Sequence, residues 1–232
     1  LGKGEVSISY PDRFITELTF DELHREMVRR SELRQLVENK EYNTRIEIET
    51  DSPIAIGWFA DTHIAGQDVD YERLRWEVEE IKNNPYMRVF LGGDLTDGFC
   101  WNPAQFSDIA NLNEQDLYLH KMLEYMGYDK ILGGVMGSHE KWSRRTGLDS
   151  YSDIRKNIPI FDGTGTVELV INGITYTGAI LHEAKGNSYF NPNHAQKRFI
   201  MENEGYDFVM TAHTHAGAEQ SQIRQTAKGS KK

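Results

Sequence analysis

From Pro53 onward, apolar residues gather in short runs, and each run opens into a polar loop rich in Asp, His and Gly. Ile54 to Ala60 leads into Asp61-Thr62-His63, and Met87 to Leu91 into Gly92-Gly93-Asp94. Ile131 to Met136 leads into Gly137-Ser138-His139-Glu140, Ile174 to Leu181 into His182, and Phe208 to Thr211 into His213-Thr214-His215. Runs of that length bounded by turn residues read as strands. Between the first two, Asp70 to Asn84 places Tyr71, Leu74, Val78 and Ile81 on one helical face, and a second helical pattern near Glu114 to Met126 precedes the third strand. Val167 to Ile171, Asn172-Gly173 and Ile174 to Ile180 predict a hairpin, since Asn-Gly supplies the positive φ angles of a type I′ turn. Upstream, Arg45 to Thr50 alternates as a half-exposed strand does. Leu18 to Asp21 followed by Leu23, Met27, Leu33, Leu36 and Val37 predicts a helix capped by Asp21 or Thr19.

Strand–helix alternation followed by a hairpin predicts an α/β layered fold with a mixed sheet. Ligands in such sheets collect beyond the carboxyl ends of the strands, so all five polar loops are expected at one edge. Residues 1–50 form a helical and strand appendage, 51–220 the main domain, and 221–232 a polar, basic tail. No convincing strand pattern follows His215.

Composition narrows the chemistry. A single cysteine, Cys100, excludes an internal disulfide or a thiolate zinc site, while eight histidines stand among 36 acidic residues. Any metal is therefore held by imidazole and oxygen, which suits Mn, Fe, Zn, Ni or Mg. The net charge of −10 argues against a surface coated for general nucleic-acid binding, though not against a local basic groove. The apolar runs fall far short of the ~20 residues of a membrane helix. No basic-then-apolar leader opens the chain, so a cytoplasmic location without membrane attachment is expected.

Singly, each loop is an ordinary strand-ending turn whose Asp caps a helix or whose His satisfies a backbone group. That reading is kept for His24, His120 and His194. For the ordered set the weight reverses. Carboxylates and at least four histidines gathered at successive strand ends need a cation between them, and one ion cannot use them all. Two metals are the natural count.

The ordered blocks resemble the calcineurin-like metallophosphoesterases. The family pattern is Asp-x-His, Gly-Asp-x-x-Asp, Gly-Asn-His-Asp/Glu, an isolated His and Gly-His-x-His. This chain offers Asp61-Thr62-His63, Gly93-Asp94-Leu95-Thr96-Asp97, Gly137-Ser138-His139-Glu140, His182 and Ala212-His213-Thr214-His215. The motif likeness is greatest to phage-type and DNA-repair exonuclease-type members. The resemblance implies a four-layer αββα sandwich with two mixed sheets and a dinuclear metal site at the carboxyl ends of the strands. It also implies that Asp61, His63 and His215 hold one divalent ion, that His182, His213 and the residue at Ser138 hold the other, and that Asp94 bridges them. Manganese is the expected metal. A metal-bridging hydroxide would attack phosphorus, with His139 beside it assisting the leaving group and Asp97 fixing His139 or its loop. No Gly-x-Ser-x-Gly elbow or phosphate-cradling Gly-rich loop with Lys competes with that reading.

The chain departs from the pattern in three ways. Ser138 stands where the family has Asn, a longer oxygen ligand, so the second site is expected to bind its ion less tightly or to favour a different ion. Ala212 replaces the Gly before His213, a milder change. The family also continues with strands that complete the second sheet, so the resemblance implies more strands after His215 than the sequence pattern offers.

Substrate clues lie beside His139. Lys141, Arg144, Arg145, Arg155 and Lys156 outnumber Asp149 and Asp153, and Trp142 sits among them. A second loop carries Lys185, Asn187, Tyr189, Phe190, His194, Lys197 and Arg198. Basic residues mixed with aromatics suit an extended anionic substrate, with Arg144, Arg145, Trp142 and Lys185 as contacts. The same aromatics would serve equally well as core anchors and the arginines as surface ion pairs, and Phe99 to Pro103 would wall the site or be buried. The expected activity is metal-dependent hydrolysis of a phosphodiester, in nucleic acid or a nucleotide. The alternatives are a phosphomonoesterase acting on a phosphoprotein or small metabolite, and a binding scaffold of the same fold with weakened catalysis.

Overall fold

The computed structural model describes residues 19–38, 42–98, 109–145, 147–186, 191, 193–215, 224–226 and 229–231. The chain divides into two compact units, Leu1–Glu41 and Tyr42–Lys232. In the first, helix α1 spans Phe20–Glu38. Thr19 caps it as the spacing predicts: its hydroxyl accepts from the Glu22 N–H at 3.4 Å, and the Glu22 carboxylate accepts from the Thr19 N–H at 2.9 Å.

The second unit runs β1 (Tyr42–Ile48), β2 (Ala55–Phe59), α2 (Tyr71–Asn83), β3 (Met87–Leu91), α3 (Leu112–Met126), β4 (Ile131–Val135), α4 (Ser138–Arg145), β5 (Ile160–Phe161), β6 (Gly165–Ile171), β7 (Ile174–Ile180), α5 (His194–Glu202), β8 (Phe208–Met210), β9 (Arg224–Thr226) and β10 (Gly229–Lys231). Asp70 caps α2 by accepting from the Arg73 N–H, and Asn111 with Glu114 forms a capping box on α3. At the β6–β7 turn Asn172 and Gly173 have φ of 48° and 79°, the type I′ geometry that their pair predicts.

One sheet has the order β2-β3-β4-β5 and the other β1-β6-β7-β8. The second is mixed: β1 is parallel to β6, β6 antiparallel to β7, and β7 parallel to β8. The first is not mixed, contrary to what the family resemblance implies, but parallel throughout, because each of its strands is reached by a crossover rather than a hairpin. The polar stretch after His215, which carries no apolar alternation, nonetheless contains the short antiparallel pair β9–β10.

Three apolar clusters define the layers. Leu74, Val78 and Ile81 of α2 and Leu119, Leu123 and Met126 of α3 pack on Val89, Leu91 and Ile131. Phe90, Val135, Phe161, Val167, Leu169 and Ile180 fill the space between the sheets. Ala179, Leu181 and Ala195 with Phe199 and Val209 cover the far face of the second sheet with α5. Successive residues such as Val89, Phe90 and Leu91 therefore serve opposite layers, giving the expected αββα order. Among the described residues no helix is long and apolar enough to cross a membrane.

Candidate metal centre

Each polar loop leaves the carboxyl end of its strand and is hydrogen-bonded to a neighbouring loop. The Asp61 N–H donates to the Gly93 carbonyl at 3.0 Å and the His63 N–H to the Asp94 carbonyl at 3.1 Å. Loops of the two sheets meet where the His182 Nδ1 faces the Gly92 carbonyl at 2.8 Å and the His213 N–H donates to Asp61 Oδ2 at 2.9 Å. The loops turn sharply: Asp61, His63, Asp94, His213 and His215 all have positive φ, between 42° and 73°. For side chains other than glycine this left-handed backbone costs about 1–3 kcal/mol per residue, and such strain collects at functional sites.

Two donor sets result. Asp61, His63 and His215 form one, and Asp94, His182 and His213 the other, with the ligating atoms of each within 4.8 Å of one another. His63 Nε2 and His215 Nε2 face each other at 3.1 Å, and His213 Nδ1 and His182 Nε2 at 3.2 Å. His182 Nε2 also lies 2.9 Å from Asp94 Oδ2. Ring nitrogens opposed in this way need a proton or a cation between them, and the imidazole–carboxylate donors suit first-row divalent ions. The residues fit a pair of such ions.

The ionisation of these groups follows from their neighbours. Burial opposes charge on Asp94, but the His182 hydrogen bond and the His139 N–H hold its carboxyl well below the usual range. Burial likewise opposes protonation of His182 and His63. Asp94 outweighs it for His182, and Asp97 with Asp94 and Asp61 for His63, so both imidazoles are raised above their ordinary value.

His139 opens α4 beside both sets. Its Nδ1 meets the Asp97 carbonyl, and the Asp97 carboxylate takes His63 Nδ1 at 3.2 Å, so Asp97 braces two rings at once. His63, Asp97 and His139 also lie close enough together to hold an ion. The Ser138 hydroxyl donates to Asp94 Oδ2 at 3.0 Å, which puts it at the second set. A cleft of about 750 Å³ opens over Asp61, His63, His139 and His215 and extends along Gln67, Asp68, Asp70, Arg73 and Glu77.

The basic residues are less available than their spacing implies. Arg144 pairs with Asp162 at 3.1 Å, Arg155 with Asp149 at 2.6 Å and with Asp162 at 3.0 Å, and Lys156 with Asp153 at 2.6 Å. Asp162, which takes both arginines, follows the stretch from Lys141 to Lys156. Trp142 packs its ring 4.8 Å from that of His139, while Arg145 and Lys185 are exposed. The Phe99 to Pro103 segment and Asn187, Tyr189 and Phe190 lie outside the described residues. None of the three histidines set aside belongs to a donor cluster among the described residues: His24 stacks on Phe20 within the first unit, His120 lies 3.6 Å from Asp116, and His194 is exposed on α5.

Two structural supports were not read from the sequence. Tyr71 accepts the Ala65 N–H on its phenol oxygen at 2.9 Å, pinning the turn after His63. Its apolar spacing on α2 marks it only as a core residue. Glu140 is buried and accepts four backbone N–H groups. Its place in the first turn of α4 gives it the more ordinary meaning of an acid facing the helix dipole.

No curated protein matches the chain. The family model for calcineurin-like phosphoesterases matches residues 54–217, a span that holds every residue of both donor sets. That family hydrolyses phosphoesters with dinuclear divalent metals. By this match over most of its length, the chain belongs to the calcineurin-like phosphoesterase family.

Proposed function

We propose that this protein hydrolyses a phosphodiester, in a nucleotide or nucleic acid, using two divalent cations, with manganese the first choice. Asp61, His63 and His215 would hold one ion, His182 and His213 the other, and Asp94 both. The observation that carries this reading is the convergence of loops from both sheets into two adjacent imidazole–carboxylate sets beside His139. When bound, such ions supply Lewis-acid charge to the phosphate and lower the pKa of water. The chain's own residues do the rest. Asp97 fixes His139 through Nδ1, which leaves Nε2 to pass a proton to the departing oxygen. Ser138 offers the second ion a shorter oxygen donor than an amide.

The cleft favours a diester over a monoester. Beyond the metal sets its wall carries Asp68, Asp70 and Glu77 against Arg73, a field that opposes a dianionic monoester more than a monoanionic diester. Arg145, Trp142 and Lys185 contact the substrate in this reading, and Arg144 adds least because it already engages Asp162. The location in this reading is cytoplasmic.

The test is chelated protein titrated with Mn²⁺ and assayed on bis-p-nitrophenyl phosphate, p-nitrophenyl phosphate and a single-stranded oligonucleotide. Faster diester than monoester cleavage is expected. Preference for the monoester makes the protein a phosphomonoesterase, and bound metal without turnover makes it a scaffold.

A further inference from the structure

The loops after β3 and β4 hold each other by exchanged carboxylates. Asp94 belongs to the first, yet its Oδ1 accepts the His139 N–H at 2.8 Å and its Oδ2 the Ser138 hydroxyl at 3.0 Å, both from the second. Glu140 reaches back the other way. Its Oε2 accepts from the Asp94 N–H at 2.9 Å and the Gly137 N–H at 3.0 Å, while Oε1 accepts from Leu95 at 2.7 Å and Thr96 at 3.4 Å. The backbones are in contact between these two anchors. A Cβ on Gly93 would lie 2.3 Å from the Gly137 nitrogen, and one on Gly137 only 2.0 Å from Asp94 Oδ1. Of the paired carboxylates, Asp94 belongs to a metal-competent set, whereas Glu140 is 1% exposed and belongs to none.

We propose that Glu140 is a positioning residue of the metal centre: by accepting N–H groups from both loops, it sets Asp94 and His139 relative to each other. This rests on the two-metal reading above. The demand is for a carboxylate, because all four partners are donors. Glutamine would present an amide NH₂ to some of them and accept at one oxygen alone, so it would push the loops apart while filling nearly the same volume. Aspartate keeps both oxygens on a shorter stem.

The test measures Mn²⁺ binding by calorimetry and melting of the chelated protein for wild type, Glu140→Gln, Glu140→Asp and Val78→Ala, the last a core truncation on α2. Positioning predicts that Glu140→Gln weakens Mn²⁺ binding at least about tenfold. It also predicts a fall in kcat at saturating Mn²⁺ with KM little changed, and partial recovery in Glu140→Asp. Val78→Ala should lower the melting temperature and leave Mn²⁺ affinity within about twofold. The proposal is overturned if Glu140→Gln binds Mn²⁺ as wild type does, or if Val78→Ala loses affinity to the same extent. If Glu140→Gln does not fold, Glu140→Asp is judged by the same criteria, and failure of both to fold assigns the residue to the scaffold and overturns the proposal. Wild type that binds no Mn²⁺ overturns the two-metal reading and this proposal together, a result distinct from any difference among the variants.

Discussion

The two donor sets share chemistry and differ in setting. Asp61, His63 and His215 sit in the wall of the cleft, with His215 exposed. Asp94 and His182 of the other set are almost fully buried and are held by the His139 N–H, the Ser138 hydroxyl and the Gly92 carbonyl. In the proposed reading substrate arrives over the first set, where the cleft opens, while Asp94 and His182 are arranged by their hydrogen bonds beforehand; His213, the third member of their set, is partly exposed. Pre-organisation favours a tight second site, and the short side chain of Ser138 works against it. The balance is measurable.

The comparison breaks most severely at Asp94, the anion assigned to both sets. Asp94→Asn should weaken Mn²⁺ binding by more than the roughly 10–100-fold of a residue that merely supports a ligand, read as metal per chain after dialysis; one ion retained at full affinity would mean that Asp94 serves a single set. His139→Ala should lower kcat by about 10²–10⁴-fold with metal content intact, and unchanged turnover would remove His139 from the chemistry. Ser138→Asn puts a longer oxygen donor at the second set alone. It should tighten the weaker Mn²⁺ site about tenfold, on the scale of outer ligand effects, and leave the stronger one unmoved; tightening of both would erase the distinction between them.

A smaller effect separates the two protonation states. In chelated protein the lowered Asp94 and raised His182 stabilise each other as a charged pair. The Asp94 contribution is present above the unfolded carboxyl pKa of about 3.9, and the His182 contribution is lost as pH rises through a value above the ordinary ~6.5. Melting of chelated protein should therefore decline by a few degrees, roughly, on the alkaline side. Mn²⁺-loaded protein should weaken on the acid side instead, because protons compete for His182. Parallel curves would sink this account. Smallest of all, Arg144→Ala removes an exposed pair with Asp162 worth about 0–1 kcal/mol. Arg145→Ala should weaken oligonucleotide cleavage more than Arg144→Ala does and reduce its salt dependence.

Much of the layered fold was legible because burial alternates by layer. The run Met87–Leu91 and the helix between Asp70 and Asn84 appear with their predicted bounds, and the Asn172-Gly173 turn forces its hairpin. The short elements were not legible. β5 has two residues and depends on β4 for its pairing, while α4 begins inside a metal-motif loop whose polar residues mask a helical period. Motif order brought the donor residues together, but it carries nothing about backbone strain, about Asp162 taking Arg144, or about Glu140 facing inward. Those depend on contacts between residues distant in sequence.

Strand β1 shows how far the main unit reaches upstream. It pairs along its whole length with β6, Tyr42 opposite Gly165 through Ile48 opposite Ile171, and forms the edge of the mixed sheet. A chain begun at residue 51 would keep every donor of both sets. It would also strip a seven-residue strand from β6, uncovering a row of unpaired N–H and C=O groups beside Val167 and Leu169. Such an edge recruits other chains. Trimming the protein to its motif-bearing core would thus create a surface for self-association without touching a single donor of either set.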